Sequence, residues 1–441
     1  MIKCSADIQK SDLIENQSIL SLSSQKKDIV TNRFIFKIGE HNFDCLYIPN
    51  KSNSEKVFIF FSAGGRNNHS VRFQSWSWCK HLEADVLCIE DPTYKDLLSP
   101  NTKRQLTGWY FGNAETSYIF LMRDIVAHLQ NIIFPKKKII FTGTSAGGYA
   151  ALFMASLCPN TYAIACNPQI DITKWNQYSW YPEIHELQNC DRFKRFDISD
   201  TINNSIDSHF LIYHNSLNEQ DNWQVSHCFG QKIGSGVYSR NNALYLTSCC
   251  LYLPAHATFY SAKNISLFSD LLFSFSDSNK VNFNIKNKAE NLIDLVTYEF
   301  EKKYQEHIED LFKLIVNALF DSDIHGIYVN RTRDHINVLL RPFTSDIRFD
   351  IFIADCLVQR VIYGIHINID LVDENLKDFL LSLTQRFNLR FNSNAQLAKF
   401  VKESIGYHVG ANDFIDLIRS TAKILKVKIL SDQKFNPILK C

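Results

Sequence analysis

The sequence predicts an α/β fold: a doubly wound, mainly parallel sheet followed by a smaller α+β C-terminal domain. Three observations carry this. Apolar β-type runs alternate with helical stretches between residues 33 and 276, as strands joined by crossover helices do. One apolar run, Ile139-Ile140-Phe141-Thr142, enters Gly143-Thr144-Ser145-Ala146-Gly147 and leaves directly as an Ala-rich helix. The alternation stops near Ser276, and a long helix opens a different order of elements.

Residues 1–30 are rich in Ser, Gln and Lys and are expected to be loosely ordered. Residues 34–38 and 43–48 read as an antiparallel hairpin at a sheet edge, turning through Gly39-Glu40-His41-Asn42. Residues 57–61 are continuously apolar, as a strand covered on both faces is. Residues 73–82 are aromatic and partly helical, and 85–89 form the next strand. Residues 117–133 place Ile119, Phe120, Ile125, Val126, Leu129 and Ile133 at helical spacing. Lys136-Lys137-Lys138 reads as a solvated start to the following strand, whose helix ends near Pro159. Residues 162–166, 210–213 and 244–253 complete the strands of a catalytic domain over residues 31–276.

Ser276-Asp277-Ser278-Asn279-Lys280 reads as a linker to an accessory domain, residues 277–441. Its long helix carries an apolar stripe of Phe300, Tyr304, Ile308, Leu311, Phe312, Ile315 and Leu319. Strands are expected around 327–340, 348–354 and 358–367, and helices near 374–387, 395–404 and 413–425. No motif chemistry stands in this half, and binding of a protein partner or of substrate is the role expected for it.

Composition narrows the classes. The chain has 441 residues, of which 45% are apolar, enough for two buried cores. Its 47 basic and 46 acidic side chains leave no electrostatic footprint for nucleic acid. Twelve cysteines include no C-x-x-C pair, so no metal site is expected. Cys88, Cys166 and Cys356 lie in apolar runs and suit free thiols in a reducing compartment. The first residues lack the apolar core of a secretory signal, and residues 139–157 suit a core strand and helix better than a membrane span. A cytoplasmic protein without a transmembrane segment is expected.

The Gly143–Gly147 turn is tight enough that Ser145 must take strained backbone angles, and the glycines spare it Cβ clashes. The helix that follows points free N–H groups and its positive end at the serine. The alternative is a Gly-rich turn whose serine merely caps the helix. A serine nucleophile needs a base, and the base needs an orienting acid. Asp221, in the stretch after the strand at 210–213, is the candidate acid; Glu219 is its rival, and Asp207 precedes that strand on the wrong rim. His256, after the strand at 244–253, is the candidate base, with His227 as competitor. Ala146 N–H is one candidate oxyanion donor, and the loop Ser62-Ala63-Gly64-Gly65 offers Ala63 or Gly64 as the second. Arg66, Trp109, Tyr110, Asn167 and Gln169 are candidate substrate-binding residues on the same rim.

With these residues in view the chain resembles the α/β-hydrolase superfamily over residues 33–276. The matching features are Gly143-Thr144-Ser145-Ala146-Gly147, Ala63-Gly64-Gly65, Asp221 and His256. Gly148 after the elbow, Asn167-Pro168-Gln169, and Gly108-Trp109-Tyr110 upstream also look like bacterial hydrolase-like proteins, some associated with surface-glycan synthesis. That resemblance implies a serine esterase on a small-molecule or glycan ester, with a Ser-His-Asp triad and no resident cofactor. The alternative it leaves open is an O-acyltransferase, with acetyl-CoA as acyl donor. The large C-terminal half leaves a third expectation, a hydrolase-fold protein that binds or assembles without turnover.

Overall fold

The computed structural model describes residues 18–25, 32–51, 54–64, 71, 73–93, 107–175, 178, 182–249, 260–278, 280–320, 327–331, 335–340, 347–355, 360–368, 390–394, 397–405 and 407–424. The chain divides into two compact units, Met1–Thr297 and Tyr298–Cys441.

The larger unit is built on β1 (Ser18–Ser21), β2 (Arg33–Ile38), β3 (His41–Ile48), β4 (Lys56–Phe61), β5 (Asp85–Ile89), β6 (Lys138–Thr144), β7 (Tyr162–Cys166), β8 (His209–Asn215), β9 (Gly236–Arg240) and β10 (Ala243–Ser248). They form one ten-stranded sheet in the order β1-β2-β3-β5-β4-β6-β7-β8-β10-β9. From β5 through β4, β6, β7 and β8 to β10 every pairing is parallel. The β2–β3 hairpin joins antiparallel, as does β9 at the far edge. Within the stretch expected to be loosely ordered, Ser18–Ser21 pairs in parallel with β2, so the hairpin is not the edge of the sheet.

The helices are α1 (Tyr118–Ile132), α2 (Ala146–Leu157), α3 (Pro182–Gln188), α4 (Ser199–Asn203), α5 (Glu219–Phe229), α6 (Ala262–Ser278) and α7 (Phe283–Phe320). The apolar face of α1 buries Ile119, Met122, Ile125, Val126 and Leu129. Every residue of α2 from Ala146 to Ala155 is buried, which explains why this helix is apolar on all sides rather than striped. The strands beneath are buried along their lengths: Val57–Phe61, Val86–Ile89, Ala163–Cys166 and Phe210–Tyr213. Burial pushes the Cys88 and Cys166 thiols well up, so they pack as neutral small hydrophobes.

Lys136–Lys138 is not the wholly solvated start expected. Lys137 reaches the buried Asp85 (Nζ to Oδ2, 2.9 Å), which also accepts the Tyr47 hydroxyl. Lys138 Nζ lies 4.6 Å from the centre of the Phe273 ring. Lys136 and Lys138 are exposed as expected, but Lys137 is drawn inward because a buried carboxylate without a cation would carry an uncompensated charge.

The chain leaves β4 to build β5 on one side, then returns to build β6 on the other. Strand order reverses between β4 and β6, and the crevice outside their carboxyl ends is the switch point where doubly wound sheets bind ligands. The residues there are Ser62–Gly64 and Ser145.

The smaller unit holds a six-stranded sheet in which every pairing is antiparallel. Its strands are β11 (Ile327–Arg331), β12 (His335–Leu340), β13 (Ile347–Asp355), β14 (Arg360–Asn368), β15 (Arg390–Asn394) and β16 (Leu397–Ile405), in the order β11-β12-β13-β14-β16-β15. α8 (Tyr407–Ile424) buries Phe414, Ile415, Leu417 and Ile418, and Tyr363 Oη donates to Asp413 Oδ2 at 2.8 Å. Of the expected stripe, Ile308, Leu311, Ile315 and Leu319 are buried on α7. Two corrections apply. The helix expected at 395–404 is β16, hydrogen-bonded between β14 and β15. Its Phe400, Val401 and Ile405 alternate with Lys399 and Lys402 in a pattern that also fits a helical face, and sheet pairing decided it. The expected linker at 276–280 is a short break between α6 and α7, and the division of the units falls inside α7, at 297–298. The helix expected at 374–387 lies outside the described residues.

The elbow tolerates no side chain at its flanks. A Cβ on Gly143 would lie 2.3 Å from Gly147 O, and one on Gly147 would lie 2.5 Å from Phe61 O, both backbone atoms that cannot swing aside. Gly147→Ala is therefore expected to lower the unfolding free energy by about 1–3 kcal/mol, measured by urea denaturation. Ala150→Gly, three residues further along the same helix, removes a side chain without a clash and gives the scale of the helix-propensity difference alone, about 1 kcal/mol.

Candidate active site

Ser145 joins β6 to α2 with φ 56° and ψ −121°, a conformation that L-residues rarely hold. The turn is fixed from three directions. Ser145 N donates to Cys166 O (3.1 Å), and Ser145 O accepts from Tyr149 N (3.0 Å) and Gln169 N (3.4 Å). The hydroxyl makes no capping bond to α2. A serine that merely capped the helix would spend its oxygen on the second or third N–H of that helix; this one does not. The Ala146 N–H stands at the first helical position, where no intrahelical acceptor exists.

Parallel register carries this geometry along the rim. Thr144 pairs with Cys166 and Cys166 with Tyr213, so β6 and β7 end level and β8 runs two residues further, to Asn215. Asn167 N then donates to Tyr213 O at 2.8 Å. Asp221 follows β8 in the first turn of α5 and is fully buried. It is not the helix cap: Asn218 is, its side chain accepting Asp221 N at 3.0 Å. The rival Glu219 is exposed, and Asp207 precedes β8. His214, at the end of β8, lies 3.1 Å through Nε2 from Asn222 Oδ1 and 3.4 Å through Nδ1 from Thr247 Oγ1. It thereby ties the residue next to Asp221 to the sheet. Burial holds the His214 ring down at about 4, so it is a neutral strut.

His256 and Arg66 lie outside the described residues. The flanks of the His256 stretch are described. β10 ends at Ser248, level with Asn215 of β8 on the same rim. Tyr260 then packs on Trp78 (4.9 Å between ring centres), with its hydroxyl 3.3 Å from Thr142 Oγ1 of β6. The competitor His227 is engaged elsewhere: Nε2 lies 2.7 Å from Asp197 Oδ2 and its ring stacks on Trp223.

The aromatic and amide residues expected to meet substrate are placed differently. Trp109 and Tyr110 are fully buried, both with positive φ, 50° and 58°. Trp109 Nε1 donates to Gln169 Oε1, and Gln169 N reaches the elbow, so these two side chains brace Ser145 instead of forming an open platform. Tyr110 Oη accepts from Ser62 N (2.7 Å) and donates to Ile89 O (2.9 Å). Asn167 is buried with φ 44°. The correction has a physical cause. Large rings behind a strained turn supply the packing that holds it, and ring type alone does not distinguish packing from display. Ala63 N donates to Gln74 Oε1 at 2.5 Å.

Two residues that hold this rim had no sequence signal beyond their charge. Asp91, just past β5, accepts Thr93 N (2.9 Å) and Tyr110 N (3.0 Å). Arg195, fully buried, pairs with Asp191 (2.8 Å) and donates from Nη1 to Phe111 O (2.6 Å) and Asn113 O (2.9 Å). Its carbonyl accepts Tyr149 Oη at 2.7 Å, which links the turn at 108–113 to α2. Among the described residues, Asp171, Asp197 and His227 bring potential metal-binding atoms within 4.8 Å of one another. Those atoms are already in use. Asp171 Oδ1 accepts Thr173 N, Asp197 Oδ1 accepts Ser199 N, and Asp197 Oδ2 faces His227. Burial raises the Asp197 carboxyl, but Ser199 and His227 outweigh it and hold the group below its usual range.

The strand order, the parallel core and the strained serine between β6 and a buried helix give the larger unit an α/β-hydrolase-like fold. No family model matches the sequence. No curated protein matches it either. Similar solved structures include the capsule O-acetyltransferase of Neisseria meningitidis serogroup A, 16% identical over 54% of this chain and 94% of that one, TM-score 0.38. Others are an acetyl xylan esterase from Paenibacillus sp. R4 (14%, 53% and 79%, TM-score 0.36) and an alpha-beta serine hydrolase homologue from Coxiella burnetii (12%, 55% and 95%, TM-score 0.32). Among the described residues, no helix is long and apolar enough to cross a membrane.

The buried neutral His214 gives a pH test of the strut. Its ordinary value is 6.5 and its folded value about 4. Between these the unfolded chain binds the proton and the folded chain does not, so stability present above pH 6.5 is lost as pH falls toward 4. The loss from this one group is about 3 kcal/mol. Urea titrations of wild type and His214→Gln at pH 7 and pH 4.5 should show the gap between them narrowing by about 2–3 kcal/mol at the lower pH.

Proposed function

We propose that the larger unit is a serine-dependent acyl-ester hydrolase that works through an acyl-enzyme. The observation that carries this reading is Ser145: strained, braced by two neighbouring segments, and with its hydroxyl making no capping bond to the buried helix it precedes. Strain of this kind costs about 1–3 kcal/mol and persists where the surroundings over-determine it, commonly at a reacting group.

In the proposed reaction Ser145 Oγ attacks the ester carbonyl while His256 takes the hydroxyl proton. The new C–O bond places negative charge on the carbonyl oxygen, which accepts hydrogen bonds from Ala146 N–H and from the loop after β4. Collapse breaks the ester bond, and His256 returns the proton to the departing alcohol. Water then attacks the acyl-serine by the same route in reverse and releases the acid. Asp221 orients the imidazole and stabilises its cation; its full burial in the first turn of α5, the helix that follows β8, supports that assignment. The substrate class proposed is an O-acylated glycan. If a sugar hydroxyl replaces water in the second half, the same groups perform O-acyl transfer, with acetyl-CoA as donor. Partner binding is the role proposed for the C-terminal half.

A fluorophosphonate probe tests the nucleophile without knowledge of the substrate. Wild type should label stoichiometrically, Ser145→Ala not at all, and His256→Ala at a residual rate. Asp221→Asn should lower ester turnover by about 10³–10⁴-fold. Acetyl recovered on an added sugar instead of in free acetate would identify a transferase. A folded wild type that never labels would contradict the proposal.

A further inference from the structure

The loop after β4 carries three consecutive backbone N–H groups beside the elbow, and two of them are already committed. Proximity is set by Gly147: a Cβ there would lie 2.5 Å from Phe61 O and 3.1 Å from Ser62 C. The Ser62 N–H donates to Tyr110 Oη (2.7 Å) and the Ala63 N–H to Gln74 Oε1 (2.5 Å). Among the described residues no group accepts from Gly64 N–H. Gly64 also has no room for a side chain, since a Cβ would lie 2.0 Å from Thr107 Oγ1.

We propose that Gln74 and Tyr110 are positioning residues for the oxyanion site: by holding the N–H groups of Ala63 and Ser62, they leave Gly64 as the loop's donor opposite Ala146. This rests on the acyl-transfer reading and resolves a choice, Ala63 or Gly64, that the sequence leaves open.

The argument is one of preorganisation. An oxyanion donor contributes most when no bond of its own must break as charge develops. An Ala63 N–H already bonded to a carboxamide oxygen would have to surrender that bond at each turnover. Among the described residues Gly64 N–H has no such bond to surrender. The two clamps approach from different parts of the chain, so together they fix the loop's position and twist. Tyr110 is itself immobilised, with its backbone N on Asp91 (3.0 Å), its hydroxyl on Ile89 O, and its ring edge-on to Phe61 (5.3 Å). Gln74 precedes the 3-10 turn Trp76–Lys80, and its carbonyl faces Cys88 Sγ at 3.6 Å. This also accounts for an amide within the aromatic stretch Phe73-Gln74-Ser75-Trp76, where packing alone needs none.

The experiment uses the full chain, p-nitrophenyl acetate as substrate, and fluorophosphonate titration to count active sites. Gln74→Met and Tyr110→Phe keep volume and remove the acceptor. Each should lower kcat per titrated site by about 10–100-fold, while KM stays within about twofold. The double variant should lose less than the product of the single losses, because both clamps hold one loop. A rise in kcat for Gln74→Met would overturn the proposal, since it would make Ala63 the donor and Gln74 its competitor. An unchanged kcat per site would overturn it as well, including the case where fewer sites titrate because the variant is merely unstable. A wild type that neither labels nor turns over would instead defeat the underlying acyl-transfer reading, a result distinct from either variant outcome.

Discussion

The left-handed backbone at Ser145 is the constraint from which the rest of the larger unit follows. One residue must turn a parallel strand into a helix that lies back against the same sheet. That reversal brings residues 143 and 147 within van der Waals contact and sets residue 147 on the carbonyl of Phe61. Only glycine fits either place. The helix then runs so close to the sheet that it is buried on every side from Ala146 to Ala155, which calls for small residues in its first turns. The cost of the strain, about 1–3 kcal/mol, is offset by the burial of α2 and by three backbone hydrogen bonds to the turn.

A second strained turn braces the first. Trp109 and Tyr110 are consecutive non-glycine residues with positive φ, and each sends its side chain to a different part of the rim. Trp109 reaches Gln169, whose own N–H holds Ser145 O; Tyr110 reaches the loop after β4. Asp91 and Arg195 hold the turn itself, through Tyr110 N, Phe111 O and Asn113 O. The elbow, the loop and the turn therefore form one hydrogen-bonded body, in which moving one member moves the others. Such rigidity suits a site that must stabilise charge at a fixed point.

Much of this was legible in the sequence where a single local rule decides. Continuous apolar runs located β4, β5, β6, β7 and β8, and the spacing of Ile119, Ile125, Val126 and Leu129 located α1. Gly143 and Gly147 marked the elbow because no other residue fits a backbone contact. Prediction failed where long-range partners decide. The stretch at 397–405 has a pattern open to helix or strand, and pairing with β14 and β15 settles it. Lys137 read as a solvent charge because its partner, Asp85, lies far off in sequence. Trp109 and Tyr110 read as a binding surface because burial is a property of the fold. Arg195, Asp91 and Gln74 act through backbone atoms of distant segments, which leave no trace in residue spacing.

The central claim is that Ser145 becomes acylated, and capturing that acyl group tests it most directly. Full-length protein is mixed rapidly with p-nitrophenyl acetate, p-nitrophenol release is followed before the steady state, and the quenched protein is digested and mapped by mass spectrometry. The account predicts a burst of about one equivalent per active site and an acetyl group on the peptide that contains Ser145. Release without a burst, with no acetyl on that peptide even at the fastest quench, would contradict it.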